Sequence, residues 1–154
     1  MATPDTPADG ERLHLALYVR RPVAGSRTVV IDRLGALDAD GAIGGFEIRT
    51  VPGEVVVPER GADDLSAALA TLAEWRGPGI RPTFEVEEDS SRMGRSIRSI
   101  SLPETIVAPF ADRTPACVFP CTDGTRTWTV TDFLDSYETA RQTPPGVDVA
   151  LPTG

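Results

Sequence analysis

The chain has no lysine and no asparagine, and it holds one histidine and two cysteines in 154 residues. Each shortage excludes some chemistry. A Ser-His-Asp arrangement has only His14 to draw on, and His14 sits on an apolar stretch where a structural role is expected. Cys117 and Cys121 with His14 do not complete a four-ligand zinc site. If their segment is extended, residues four apart lie roughly 13 Å from each other, too far for a disulfide, so two small half-buried thiols are expected. No apolar run reaches the roughly 20 residues that cross a bilayer. The opening residues MATPDTPADGER offer no apolar stretch for a secretory signal. There is no G-x-S-x-G and no H-E-x-x-H. Gly41–Gly45 (GAIGG) lacks the Lys-Ser/Thr of a P-loop, and it follows a helix where a dinucleotide loop follows a strand. The expectation is a non-enzymatic protein with no catalytic residue, metal or cofactor.

All 15 basic residues are Arg, against 23 acids, for a net charge of −8. Carboxylates hold water where salt is concentrated, and the Debye length of about 3 Å at molar salt screens their mutual repulsion. A GC-rich genome also favours Arg over Lys, but acid excess and Lys loss together fit salt adaptation better. The same acidity weakens a simple nucleic-acid reading, because binders present a basic face and phosphate contacts weaken as salt rises.

Leu13, Leu15, Leu17 and Val19 alternate with His14, Ala16, Tyr18 and Arg20, which predicts a strand. A breaking loop over Arg21–Gly25 follows, with Ser26 as the expected helix cap. Val30, Leu34 and Leu37 form one helical stripe, and Gly41 is placed to end it in the left-handed conformation. Phe46, Ile48 and Thr50 alternate again, and with Pro52-Gly53 and Glu54–Val57 they predict a hairpin over 44–57. Gly61–Arg76 is the clearest helix, with Asp63 and Asp64 in its first turn and Leu65, Leu69, Leu72 and Trp75 on one face. Strands are expected at 83–87, 97–102 and 105–110. Asp123-Gly124 marks a hairpin, and Thr131 is the expected cap of a last helix, Asp132–Ala140. Trp75 and Trp128 read as core or edge-packing aromatics.

The order β-α-β(β)-α-β predicts an α+β domain over 12–140, a sheet with helices on one face, of ferredoxin-like split βαβ type. Residues 1–11 read as a flexible leader and 141–154 as a disordered tail. Leu34-x-x-Leu37-x-x-x-Gly41-x-Ile43 followed by Phe46-Glu47-Ile48 also fits the recognition helix and wing of a winged helix-turn-helix. That motif needs a preceding helix, and a β-like stretch stands there instead, so βαβ is the better reading. Arg92, Arg95 and Arg98 recur every three residues, flanked by serines, and read as the one local basic cluster. They suit a phosphate or nucleic acid, but a solvated edge or loop pairing with the nearby acids Glu85, Glu87, Glu88 and Asp89 is the better reading.

The run Leu13–Arg20 ending Tyr-Val-Arg before a Pro/Gly loop, and the helix and strand over Val30–Ile48, are similar to the start of small acidic haloarchaeal proteins grouped as "HTH domain" proteins. Val118-Phe119-Pro120-Cys121-Thr122-Asp123-Gly124 and Thr127-Trp128-Thr129-Val130-Thr131-Asp132 resemble that family's closing "PC-x-DG … T-x-T-V-x-D" segment. These pieces frame residues 12–138, and the strand pair before the "PC" motif is shortened here to Ile106–Ala116. The resemblance implies a cytosolic archaeal protein named for a helix-turn-helix, with no activity to carry over. Two functions are therefore expected in order: a transcription-associated, DNA-binding regulator, then a ferredoxin-like module that binds a protein or ligand without DNA. DNA, a protein or a second copy in a homodimer are the partners this admits, in the cytoplasm and away from membranes.

Overall fold

The computed structural model describes residues 13–58, 60–90, 96–111 and 114–144. The expected leader, and the expected tail from residue 145 on, lie outside them. Strand β1 (His14–Arg20) leads to helix α1 (Ser26–Ala39) and strand β2 (Gly45–Val51), which lies parallel to β1 with Leu17 beside Ile48. Strand β3 (Glu54–Pro58) and helix α2 (Asp64–Glu74) follow, then β4 (Arg81–Pro82), β5 (Glu85–Ser90), β6 (Ser96–Ser101), β7 (Thr105–Ala111) and β8 (Thr114–Pro115). Strands β9 (Cys121–Thr122) and β10 (Thr127–Trp128) precede helix α3 (Val130–Ala140). Three sheets result, ordered β2-β1-β7-β8, β10-β9-β4 and β3-β6-β5. This is an α+β fold, as the alternation of periods predicts.

Two expectations about pairing need correction. β2 and β3 do not form a hairpin: β2 pairs with β1, and β3 pairs antiparallel with β6. The Pro52-Gly53 turn hands the chain from one sheet to the next, and the Gly53 carbonyl accepts from Leu102 N–H (2.9 Å). Nor is the βαβ unit split, because no strand stands between β1 and β2. Pairing partners distant in sequence, such as β7 antiparallel to β1, are chosen by burial rather than by local pattern.

The alternation in β1 sorts its side chains into two cores. Leu13, Leu15, Leu17 and Val19 join Val30, Leu34 and Leu37 of α1 and Phe133, Leu134 and Tyr137 of α3. Phe119, Phe133 and Tyr137 stack through that core, with ring centroids 5.0 and 4.8 Å apart. Tyr18 on the opposite face joins Val51, Ile106 and Ala108, covered by Leu69 and Leu72 of α2 and by Val55, Val57 and Ile100 of the small sheet. Trp75 packs against both cores.

The helix ends show local chemistry. Ser26 does not cap α1; the N-cap is Gly25, at φ 62° and with no side-chain bond. Its other end closes as expected: Gly41 has φ 75°, and the N–H groups of Ala42 and Gly41 donate to Leu37 and Asp38 carbonyls, a Schellman closure. Asp63 caps α2 by accepting from Ser66 N–H (2.7 Å), which holds its carboxyl below the usual range. α3 starts earlier than expected, capped by Thr129 rather than Thr131, with Asp132 completing a capping box.

Candidate functional site

Of the three arginines expected to carry phosphate contacts, Arg92 and Arg95 lie outside the described residues. Arg98 stands on β6 beside Glu88 of β5, and its guanidinium pairs with Glu74 of α2. The helix expected to read DNA is similarly occupied. Arg27 donates to the Pro22 carbonyl (2.7 Å) and pairs with Glu104 (3.2 Å). Arg33 holds Asp135 (2.6 Å) and Glu138 on α3. What α1 exposes along its length is Ser26, Thr28, Val29, Asp32, Ala36, Asp38 and Ala39, a set without a cation. Its N-terminal end differs: residues 20–27 contain Arg20, Arg21 and Arg27 and no acid, and the first helical turn is free of acidic residues. Arg21 is exposed there, while Arg20 donates to the Leu102 carbonyl (3.1 Å). This basic stretch is legible in the sequence as three arginines in eight residues.

A groove of about 530 Å³ opens on the α2 side of the main sheet. Its floor is Ala16 and Tyr18 of β1, Phe110 of β7 and Ala68 of α2; its rim is His14, Glu47 and Arg49. Register explains the assembly: Ala16 stands beside Glu47, Tyr18 beside Arg49 and His14 beside Phe110. Small residues leave the space, and Gly45, at φ 136°, sits where a Cβ would stand 3.6 Å from His14 Nδ1. His14 is thus an exposed groove residue, not a core one. Burial pushes the Tyr18 phenol up, opposed by the Arg49 guanidinium and reinforced by Glu47, so it remains an O–H donor. A cation, a carboxylate, an imidazole and a phenol around an apolar floor suit binding of a small amphipathic molecule. The lining contains no Ser or Cys that could act as a nucleophile.

The cysteines also depart from expectation. The segment is not extended throughout: Phe119 exchanges hydrogen bonds with Val107 (2.8 and 3.0 Å) before β9 turns to pair with β4 and β10. Both cysteines are fully buried. The neighbouring Cys121 thiol, and then burial, push the Cys117 thiol far above its ordinary value. Trp128, beside Cys121 across the hairpin, is 2% exposed, and its Nε1 has no partner among the described residues. The guanidinium of Arg126 lies 5.1 Å from the indole centroid.

The described residues include no helix long and apolar enough to cross a membrane. A strand, β1, precedes α1, so within them the helix-turn-helix pattern of α1 is part of a βαβ unit. Over residues 7–142 the sequence matches a helix-turn-helix domain family. The chain belongs to that family. It has no match among curated proteins and none among solved structures.

Proposed function

We propose that the protein is a cytoplasmic, non-enzymatic, transcription-associated regulator that binds DNA. Membership of a helix-turn-helix domain family is the observation that carries this reading. The basic β1–α1 connection supports it, since the N-terminus of a helix in a positive setting is where a phosphate is held. Contacts would then come from Arg21 beside the start of α1, with Arg92, Arg95 and Arg98 as a second candidate surface. Fluorescence anisotropy of a labelled duplex across a KCl series tests it. Wild type should bind with affinity that falls as salt rises, and Arg21→Ala should weaken binding and flatten that slope by about one unit. If the R92A/R95A/R98A triple variant does so instead, the contact surface is the β5–β6 side. No binding by wild type at any salt ends the proposal.

The groove favours a second reading, a module that binds a small ligand or protein without DNA. Ala68→Leu, which fills the groove, should then abolish ligand-induced stabilisation while leaving any DNA binding intact. The Lys-free acidic composition supports operation in concentrated salt. The melting temperature should climb in molar KCl, and equal stability at low and molar salt would remove that inference.

A further inference from the structure

β2 ends the four-stranded sheet, and among the described residues no strand pairs with its outer side. Its seven residues contain no proline, one of the devices that keep an edge from pairing. The Val51 carbonyl accepts from Arg21 N–H of the β1 side (2.9 Å). Backbone groups alternate along a strand, so Arg49 and Glu47 also bond inward, and the N–H and C=O of Ile48 and Thr50 point to the open edge. Ile48 is 44% exposed, and Glu47, Arg49 and Thr50 are exposed as well.

We propose that β2 pairs with β2 of a second copy of this chain, antiparallel, across a two-fold axis centred on Ile48. The sequence Glu47-Ile48-Arg49 is self-complementary in that register. Ile48 meets the partner's Ile48 as a mutually hydrogen-bonded pair, Glu47 faces the partner's Arg49, and Arg49 faces the partner's Glu47. Phe46 stands opposite the partner's Thr50. The alternatives do worse. Centring on Glu47 or Arg49 sets like charges opposite each other. Centring on Phe46 or Thr50 leaves both charges without an opposite partner. An isologous interface of this kind makes each contact twice and closes at two copies. Glu47 and Arg49 also rim the groove, so the two grooves meet at the axis and each gains the partner's Glu47 and Arg49 at its rim. This assembly does not depend on DNA, so it is measured without nucleic acid and stands or falls apart from the DNA reading.

Sedimentation equilibrium of the full chain, over a concentration range in moderate KCl, tests it. Wild type should populate a dimer. Arg49→Glu and Glu47→Arg should each weaken association by about tenfold, because each sets two like-charge pairs across the axis. The E47R/R49E double variant restores opposite charges and should return to within about threefold of wild type. Thr50→Pro removes an outward N–H without touching the β1 ladder and should give a folded monomer by circular dichroism. A wild type that stays monomeric at every concentration overturns the proposal, showing the edge to be open or covered by residues 1–12 or another protein. So does a dimer indifferent to single charge reversal, or a double variant as weak as the singles.

Discussion

β1 is sealed along its length on one side and open over only part of the other, although both sides come from the same seven residues. Toward α1 and α3 its leucines and Val19 meet large side chains, and Phe119, Phe133 and Leu134 are fully buried there. Toward α2 it offers His14, Ala16 and Tyr18, faced by Gly45, Glu47, Arg49 and Ala68, and a groove remains. The difference is one of side-chain volume. Interiors pack to the density of organic crystals, so small residues in register leave a void that polar groups can rim. The sealed face is where stability is expected to reside, and the open face is where binding is expected.

Breaking the sealed side should have the largest effect. Phe133→Ala removes a ring that contacts both Phe119 and Tyr137, and should cost about 3–5 kcal/mol in urea unfolding, with folding itself at risk. Tyr137 sharpens the contrast by pH. Burial pushes its phenol up to about 12, above the unfolded value near 10. Folding favours the neutral phenol, so this contribution is complete below pH 10 and is lost as pH rises through 12. Its size is about 3 kcal/mol. Tyr137→Phe should remove that alkaline loss from a pH series of melting curves. Thr129→Ala breaks the capping box that starts α3 and should cost about 1 kcal/mol. On the open side, Ala16→Leu should change stability by under about 1 kcal/mol, because it grows into empty space. A cost there like that of Phe133→Ala would show that the two sides do not differ as described.

Much of this fold was legible because its strongest patterns are local. The period-two run of β1, the stripe of α1 ending at Gly41, the helix α2 and the Asp123-Gly124 hairpin all stand close to where the sequence pattern put them, although Asp63 proves to be the cap of α2 rather than part of its first turn. Caps were misread at Ser26 and Thr131, where neighbouring Gly25 and Thr129 take the position instead. A cap depends on backbone angles that adjacent residues compete to supply. The hairpin over 44–57 was misread because turn chemistry at Pro52-Gly53 is the same whether the chain doubles back on its own strand or crosses to another sheet. The candidate site was less legible still. His14, Tyr18, Glu47 and Arg49 carry no motif; they share a face only because β1 and β2 lie parallel in one register.

Sequence alone determined the class of this protein: an α+β chain whose alternating and helical periods demand a helix packed on strands, with an acidic, lysine-free surface. Tertiary structure decided which strands are neighbours, and so which side chains meet across them. It brought Cys117 to Cys121, turned Arg98 toward Glu74, and put Glu47 and Arg49 on an open edge. The physical reason is that periodicity states which face of an element is buried, whereas pairing and register depend on how all the buried faces fill one shared volume.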